Sequence, residues 1–192
     1  MKENIKVVDR EVVLKGEVMF SNLKEARGFK ETDEKKSYSI TVKVSADAAD
    51  EVTQAIDALE AAVYEQSTKD LTAVQKKTSG KALPKYKFVA DAAGEPTGEV
   101  RLEVKRPERF NSPLVRKIGE DKPVDRAFIQ KGSTVAIRAT VRPYKMGSTH
   151  GTAYTLQDIM ILDEAERQAA PRKSSPELDK LMGAVDINDL PF

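Results

Sequence analysis

The sequence contains no cysteine and a single histidine, His150. Without cysteine there is no disulfide, no thiolate metal site and no cysteine nucleophile, and the reducing cytosol is the expected compartment. One histidine, set in Gly147-Ser148-Thr149-His150-Gly151, leaves no partner for a His-based metal site or relay and reads as part of a turn joining two strands. No stretch of about 18 apolar residues is present, so no membrane span is expected. The start, Met1-Lys2-Glu3-Asn4, lacks the basic-then-apolar pattern of a secretory signal. No Gly-rich loop ending in Lys-Ser/Thr is present, which leaves nucleotide hydrolysis without machinery. Charge of either sign is barely in excess, 32 Lys/Arg against 31 Asp/Glu. What remains is 192 residues, 40% apolar, 33% charged and only 6% aromatic, the composition of a globular domain with a heavily charged surface.

The near-zero net charge conceals a partition. Residues 1–80 carry 13 basic and 15 acidic side chains, net −2; residues 81–145 carry 15 and 8, net +7; residues 146–192 carry 4 and 8, net −4. A basic middle followed by an acidic end points to a polyanion site with an acidic tail. Individually, a lysine or arginine on a strand face is often just solvated. The signal is the collective excess in one segment.

Period-2 alternation dominates the first 162 residues. Glu11–Phe20 places Val12, Leu14, Val18 and Phe20 on one row, with Gly16 on that row as a bulge position. Ser37–Val44 alternates through Tyr38, Ile40, Val42 and Val44; Glu99–Lys105 through Val100, Leu102 and Val104; Ser133–Arg142 through Val135, Ile137, Ala139 and Val141. Ala153–Leu162 closes the set with Tyr154, Leu156, Met160 and Leu162 on one row. A shorter run, Lys85–Ala90, is expected to pair with Glu99–Lys105 through the turn Gly94-Glu95-Pro96-Thr97-Gly98. One amphipathic helix interrupts the strands. Asp47 is its expected cap, and Val52, Ala55, Ile56, Leu59, Ala62 and Val63 form its apolar stripe. Lys69–Leu83 reads as a polar loop with a helical extension. The fold class is therefore mainly β with one amphipathic helix, an OB-fold-like antiparallel β-barrel with long loops. Residues 1–162 form the expected domain. Residues 163–192 show no sustained apolar period and read as a flexible, disordered acidic tail, with one short helix starting at Ser175-Pro176-Glu177.

The chain ends Asp186-Ile187-Asn188-Asp189-Leu190-Pro191-Phe192. An unstructured tip with apolar residues around a proline has nothing local to bury them, and makes sense if a partner does. Pro191 lowers the ordering cost, Phe192 supplies buried area, and Asp186, Asp189 and the α-carboxylate can meet lysines or arginines around a pocket. This tip resembles the acidic C-terminal tip of single-stranded DNA-binding proteins. The layout before it, including Lys131-Gly132-Ser133-Thr134-Val135 and Gly151-Thr152-Ala153-Tyr154-Thr155-Leu156, is similar to the bacteriophage members of that group, an elaborated barrel with long loops. Two departures stand out. The tip has only two aspartates, and the helix precedes the third barrel strand rather than following it. The resemblance implies non-catalytic, largely sequence-independent binding and protection of single-stranded DNA during phage replication, recombination or repair, in the cytoplasm of a bacterial host. It also implies a tail tip (Asp186, Asp189, Leu190, Pro191, Phe192) that competes for the DNA groove and recruits replication proteins such as a DNA polymerase or helicase. No cofactor, metal or membrane partner is expected, and the assembly is a monomer or homodimer.

Sequence-tolerant binding of single strands needs cations for phosphates and rings for bases. The basic segment offers both. Lys85-Tyr86-Lys87-Phe88 interleaves them, so that one parity faces DNA while the other packs. Arg101 and Lys105 share the polar row of one strand, and Arg106, Arg109 and Phe110 follow it. Arg116 and Lys117 lie in the same long loop, and Arg138, Arg142, Tyr144 and Lys145 line another strand. Phe110 and Tyr144, beside cations and off the apolar rows, are the stacking candidates. Phe20, Tyr38 and Tyr154 sit on apolar rows and read as core, as on balance do Tyr86 and Phe88; Phe128 reads as core or edge packing.

A rival reading is enzymatic. Glu103-Val104-Lys105 has the Glu-x-Lys spacing of metal-dependent nucleases, with Asp91 or Glu95 as a further carboxylate. The same spacing arises whenever a half-exposed strand carries charges on its wet face. RNA binding and strand annealing share the groove and tail, and the sequence does not separate them.

Overall fold

All five long alternating segments form strands, and four of them run on past the alternation. In the computed structural model, which describes residues 4–28, 36–120, 122–124 and 129–166, the chain order begins β1 (Ile5–Val8), β2 (Glu11–Arg27), β3 (Ser37–Val44) and α1 (Ala46–Thr68). It continues through α2 (Ala73–Thr78), β4 (Gly80–Lys81), β5 (Tyr86–Ala90) and β6 (Pro96–Pro107). After a 3-10 turn at Glu108–Phe110 come β7 (Leu114–Lys117), β8 (Thr134–Met146) and β9 (Thr149–Asp163).

The sheet closes on itself. β2 pairs antiparallel with β3 and β8, β3 with β6, and β8 with β9. Lys105 of β6 then meets Thr155 of β9 in parallel, completing a five-stranded barrel, β2-β3-β6-β9-β8, of the OB kind. β1, β4, β5 and β7 attach to it as short outer strands. The expected β5–β6 pairing forms, with Tyr86 opposite Leu102 and Phe88 opposite Val100, but the turn lies earlier than expected: Pro96, Thr97 and Gly98 belong to β6, and Pro96 stands opposite Ala90. Its turn is drawn by Asp91, whose Oδ1 accepts the backbone N–H of Ala93 (2.8 Å) and of Glu95 (2.9 Å).

Inside lies one core. Val12, Leu14, Val18, Ile40, Val42, Val100, Leu102, Val104, Val135, Ile137, Ala139, Val141, Tyr154 and Leu156 point inward, as their parity demands. α1 lies between the second and third barrel strands in chain order, as the sequence order required, and packs on β6 and β9. Ala48, Ala49, Val52, Ile56, Leu59 and Val63 join the core, each of the larger ones worth about 1.5–3 kcal/mol of burial. Ala62, expected on this stripe, is exposed. The N-cap is Ser45 rather than Asp47, which sits in the first turn and there favours the helix dipole. α2 converts part of the expected loop into a helix through a capping box, Thr72 with Gln75.

Two bulges overturn parts of the strand reading. The register shifts between Val18 and Phe20, so Val18 faces Val42 inside while Phe20 faces Thr41 outside. Phe20 is accordingly 55% exposed, not core. The second shift lies between Arg138 and Ala139, opposite Asp158 and Leu156, which puts Ile159 and Ile161 inside where Met160 and Leu162 were expected. An extra residue in a period-2 strand inverts every later side chain. Gly16 is not the bulge: a Cβ there would lie 2.7 Å from the Lys43 carbonyl oxygen, so the glycine allows a close backbone approach. Tyr38 is half-buried. The tail residues from 167 onward, including the expected helix at Ser175, lie outside the described residues, as does Phe128.

Candidate nucleic-acid interface

Residues directly opposite one another on paired strands share a face. Three rows therefore cross the outer wall of the barrel. One runs Glu17–Lys43–Arg101–Lys87 over β2, β3, β6 and β5. The next runs Phe20–Thr41–Glu103, and the third Asn22–Ser39–Lys105–Thr155. On the adjoining pair, Arg142 stands opposite Ala153 and Tyr144 opposite Gly151.

A cleft of about 720 Å³ opens on this wall, lined by Lys85, Lys87, Arg101, Glu103, Lys105 and Tyr144 together with Thr41, Leu83, Pro84 and Ala153. It gathers five of the expected binding residues. Among the described residues, Lys85, Lys87 and Arg101 form no ion pair and Lys105 pairs only with exposed Glu103, at 3.1 Å. Four cations against one carboxylate make the cleft electropositive. The face is the one OB barrels use, the second and third barrel strands with the flanking hairpin loop.

The ring of Tyr144 is placed by a glycine. A Cβ on Gly151 would lie 2.8 Å from Tyr144 ring atoms and 2.7 Å from the Ala82 Cβ, so the ring and the 82–85 segment both rest against bare backbone. Lys85 Nζ lies 5.5 Å from the Tyr144 ring centre, a cation–π contact. The backbone N–H of Lys85 donates to Glu60 Oε1 of α1 (3.3 Å), and Ala82 N–H donates to the His150 carbonyl (2.9 Å), which pin this segment at both ends.

The interleaved run splits by parity. Lys85 and Lys87 enter the cleft, whereas Tyr86 turns to α1, donating its hydroxyl to Asp57 Oδ2 (3.1 Å). Phe88 packs edge-on to Tyr86 on that same side, with ring centres 5.8 Å apart, and is 63% exposed. Arg106 is committed elsewhere. Its guanidinium donates to the carbonyls of Phe110, Asn111 and Leu156 and to Gln157 Oε1, and so fastens the Glu108–Phe110 turn to β9. Arg109 lies over Phe110 at 4.9 Å, a separate exposed cation–ring pair. Arg116 and Lys117 belong to strand β7 rather than a loop, and Lys117 pairs with Glu164 at 3.1 Å. Arg138 is neutralised by Glu11 and Asp158. Arg142 flanks the cleft through its partner Ala153, and Lys145 is exposed opposite His150. Asp186, Asp189, Leu190, Pro191 and Phe192 lie outside the described residues.

Three groups near this wall titrate abnormally. The Glu99 carboxylate, 2.9 Å from Lys43 Nζ, raises the lysine pKa by hydrogen bonding, outweighing partial burial. Burial, then the Asp57 hydrogen bond, pushes the Tyr86 phenol up. Tyr154 is raised most, chiefly by burial and then by the charge of Glu60; its hydroxyl forms no hydrogen bond among the described residues. His150 lies in β9, one residue after its start at Thr149, rather than in the turn, and is buried edge-on to Tyr64. No group of three or more His, Asp or Glu side chains able to hold a metal occurs among the described residues. Of the carboxylates considered for metal binding, Glu103 pairs with Lys105 and Asp91 serves its turn.

Similar folds exist among solved structures. The single-stranded DNA-binding protein from bacteriophage Enc34 in complex with ssDNA matches with a TM-score of 0.61 and 13% identity, over 85% of this chain and 96% of that one. The gp2.5 protein encoded by bacteriophage T7, a single-stranded DNA binding protein, matches with a TM-score of 0.55 and 11% identity, over 95% and 99%. A C-terminal truncation of the Enc34 protein gives 0.59 and 14%, over 86% and 98%. The fold is that of these phage proteins. The resemblance read from tip and layout is thus borne out for the barrel. No protein-family model matches the sequence, and no curated protein is similar enough to match.

Phe20 also belongs to this wall: its parity predicts a core position, and only the bulge after Val18 turns it out.

Proposed function

We propose that this chain binds single-stranded DNA without catalysis and largely without regard to sequence, covering the strand during phage DNA replication, recombination or repair. The observation that carries this reading is the cleft on the outer barrel wall, where Lys85, Lys87, Arg101 and Lys105 converge beside Tyr144. Phosphates displace the Glu103 carboxylate from Lys105 and take the free cations, while bases stack on rings. The fold shared with a phage protein solved in complex with ssDNA supports it. Neutralising about 3–5 phosphates gives a log–log salt slope near −0.7 for each.

The acidic tip extends the reading. Residues 184–192 compete for the cleft when DNA is absent and recruit replication proteins, such as a DNA polymerase or helicase, in the cytoplasm of the bacterial host. Deleting them is expected to tighten DNA binding and abolish recruitment; weaker binding by the shortened chain counts against this role.

Fluorescence anisotropy with a labelled single strand, its duplex and the matching RNA, at two salt concentrations, tests the core of the proposal. A strong preference for the DNA single strand that weakens with salt is the expected result. Equal duplex binding, or salt-independent affinity, defeats it.

A further inference from the structure

We propose that Phe20 is a base-stacking platform, so that the bound strand crosses β6 and β3 and ends its contact on β2. This rests on the single-stranded DNA reading above and adds to it a residue and a path. Phe20 lies in register with Thr41, which lines the cleft, and through it with Glu103. Its row sits between the row of Arg101 and Lys87 and the row of Lys105. On β2 the ring stands between Glu17 and Asn22, and the cations lie across β3 on β6, where Arg101 and Lys105 bracket Glu103; a strand with its phosphates on those two cations lays a base over Thr41 onto the ring. Two strand spacings, about 10 Å, separate β2 from β6, within reach of an extended chain already held by Arg101 and Lys105.

The backbone is bent to produce this exposure. Had β2 kept the register of Val18, Phe20 would have pointed into the core with Val12, Leu14 and Val18. The bulge instead turns the largest side chain of the strand outward, at 55% exposure, toward the face that carries the cleft. Bulges beside binding sites re-aim side chains in this way. Tyr144 lines the cleft on the β8–β9 side, and Phe20 lies outside it, next to Thr41 of its lining.

The chain has no tryptophan, which makes the test direct. Phe20→Trp introduces a single fluorophore at the proposed contact, and Phe88→Trp places one on the side of the sheet facing α1. Each is titrated with an oligothymidylate while anisotropy of a labelled copy follows binding independently. We expect quenching for Phe20→Trp and none for Phe88→Trp. Phe20→Ala is expected to weaken binding about 5- to 150-fold, the loss of one stacked base, with Phe20→Tyr retaining it. The Ala variant leaves the melting temperature close to that of the unmodified chain. If the unmodified chain binds while Phe20→Trp stays unquenched and Phe20→Ala binds equally well, the Phe20 inference fails alone. If the unmodified chain raises no anisotropy, the parent reading fails and takes this one with it.

Discussion

Lys87, Arg101 and Arg138 carry the same charge on strand faces of one barrel, yet their surroundings assign them different tasks. Arg138 spends its guanidinium on Glu11 and Asp158, whereas Lys87 and Arg101 meet no carboxylate among the described residues. Replacing Lys87 or Arg101 by alanine is expected to weaken binding of every single-stranded sequence and to flatten the salt slope by about 0.7 each. Arg138→Ala is expected to leave that slope unchanged, and anisotropy titrations over a salt series separate the cases. At Gly151 the argument is steric. A valine there pushes against Ala82 and the Tyr144 ring from 2.7–2.8 Å, so Gly151→Val should cost about 1–3 kcal/mol in denaturant melts and also weaken DNA binding through the displaced ring.

Among the elements, the two helices begin differently. Ser45 caps α1 without a side-chain hydrogen bond, whereas Thr72 caps α2 through a reciprocal box with Gln75. Thr72→Ala is therefore expected to cost about 1 kcal/mol if α2 unfolds with the domain, and Ser45→Ala only a few tenths, as judged by chemical denaturation. The stability of α1 lies in its packing instead. Ile56 is fully buried against the barrel, and Ile56→Ala should cost about 2–5 kcal/mol. The five barrel strands, the β5–β6 pairing and the place of α1 are legible in alternation and turn residues, because those are local signals; the short outer strands β1, β4 and β7 are not, being too short to show a period. Nor are the bulges. Nothing in Val18-Met19-Phe20 or Leu156-Gln157-Asp158 announces an extra residue, since the register is chosen by the partner strands. Hence alternation alone predicts Phe20, Met160 and Leu162 inside, whereas the core takes Ile159 and Ile161 and Phe20 faces out.

For the whole molecule, the abnormal titrations point one way. Tyr86 and Tyr154, with an ordinary phenol value of 10.0, and Lys43, with an ordinary value of 10.5, are all raised in the folded chain. The folded state thus holds their protons more tightly than the unfolded state does. The stability linked to them is fully present below about pH 10 and is lost as pH rises through the raised values. Denaturant midpoints measured from neutral to strongly alkaline pH should show a plateau and then a fall. Tyr154→Phe should remove most of that alkaline loss, since burial of its hydroxyl is the main cause of the largest shift.

Composition, charge partition and alternation by themselves determined that the chain forms a β-barrel with one packed helix, and that its basic side chains concentrate between residues 81 and 145. These follow from short-range periodicity and from counting, which need no knowledge of partners. Only the tertiary structure decided which cations share a wall, which of them carboxylates and carbonyls have already claimed, and which rings face outward. Those outcomes depend on barrel closure between Lys105 and Thr155, on the close approach at Gly151, and on two bulges. Each joins residues far apart in the chain, and strand pairing, not the local sequence, settles on which side of the sheet a side chain emerges.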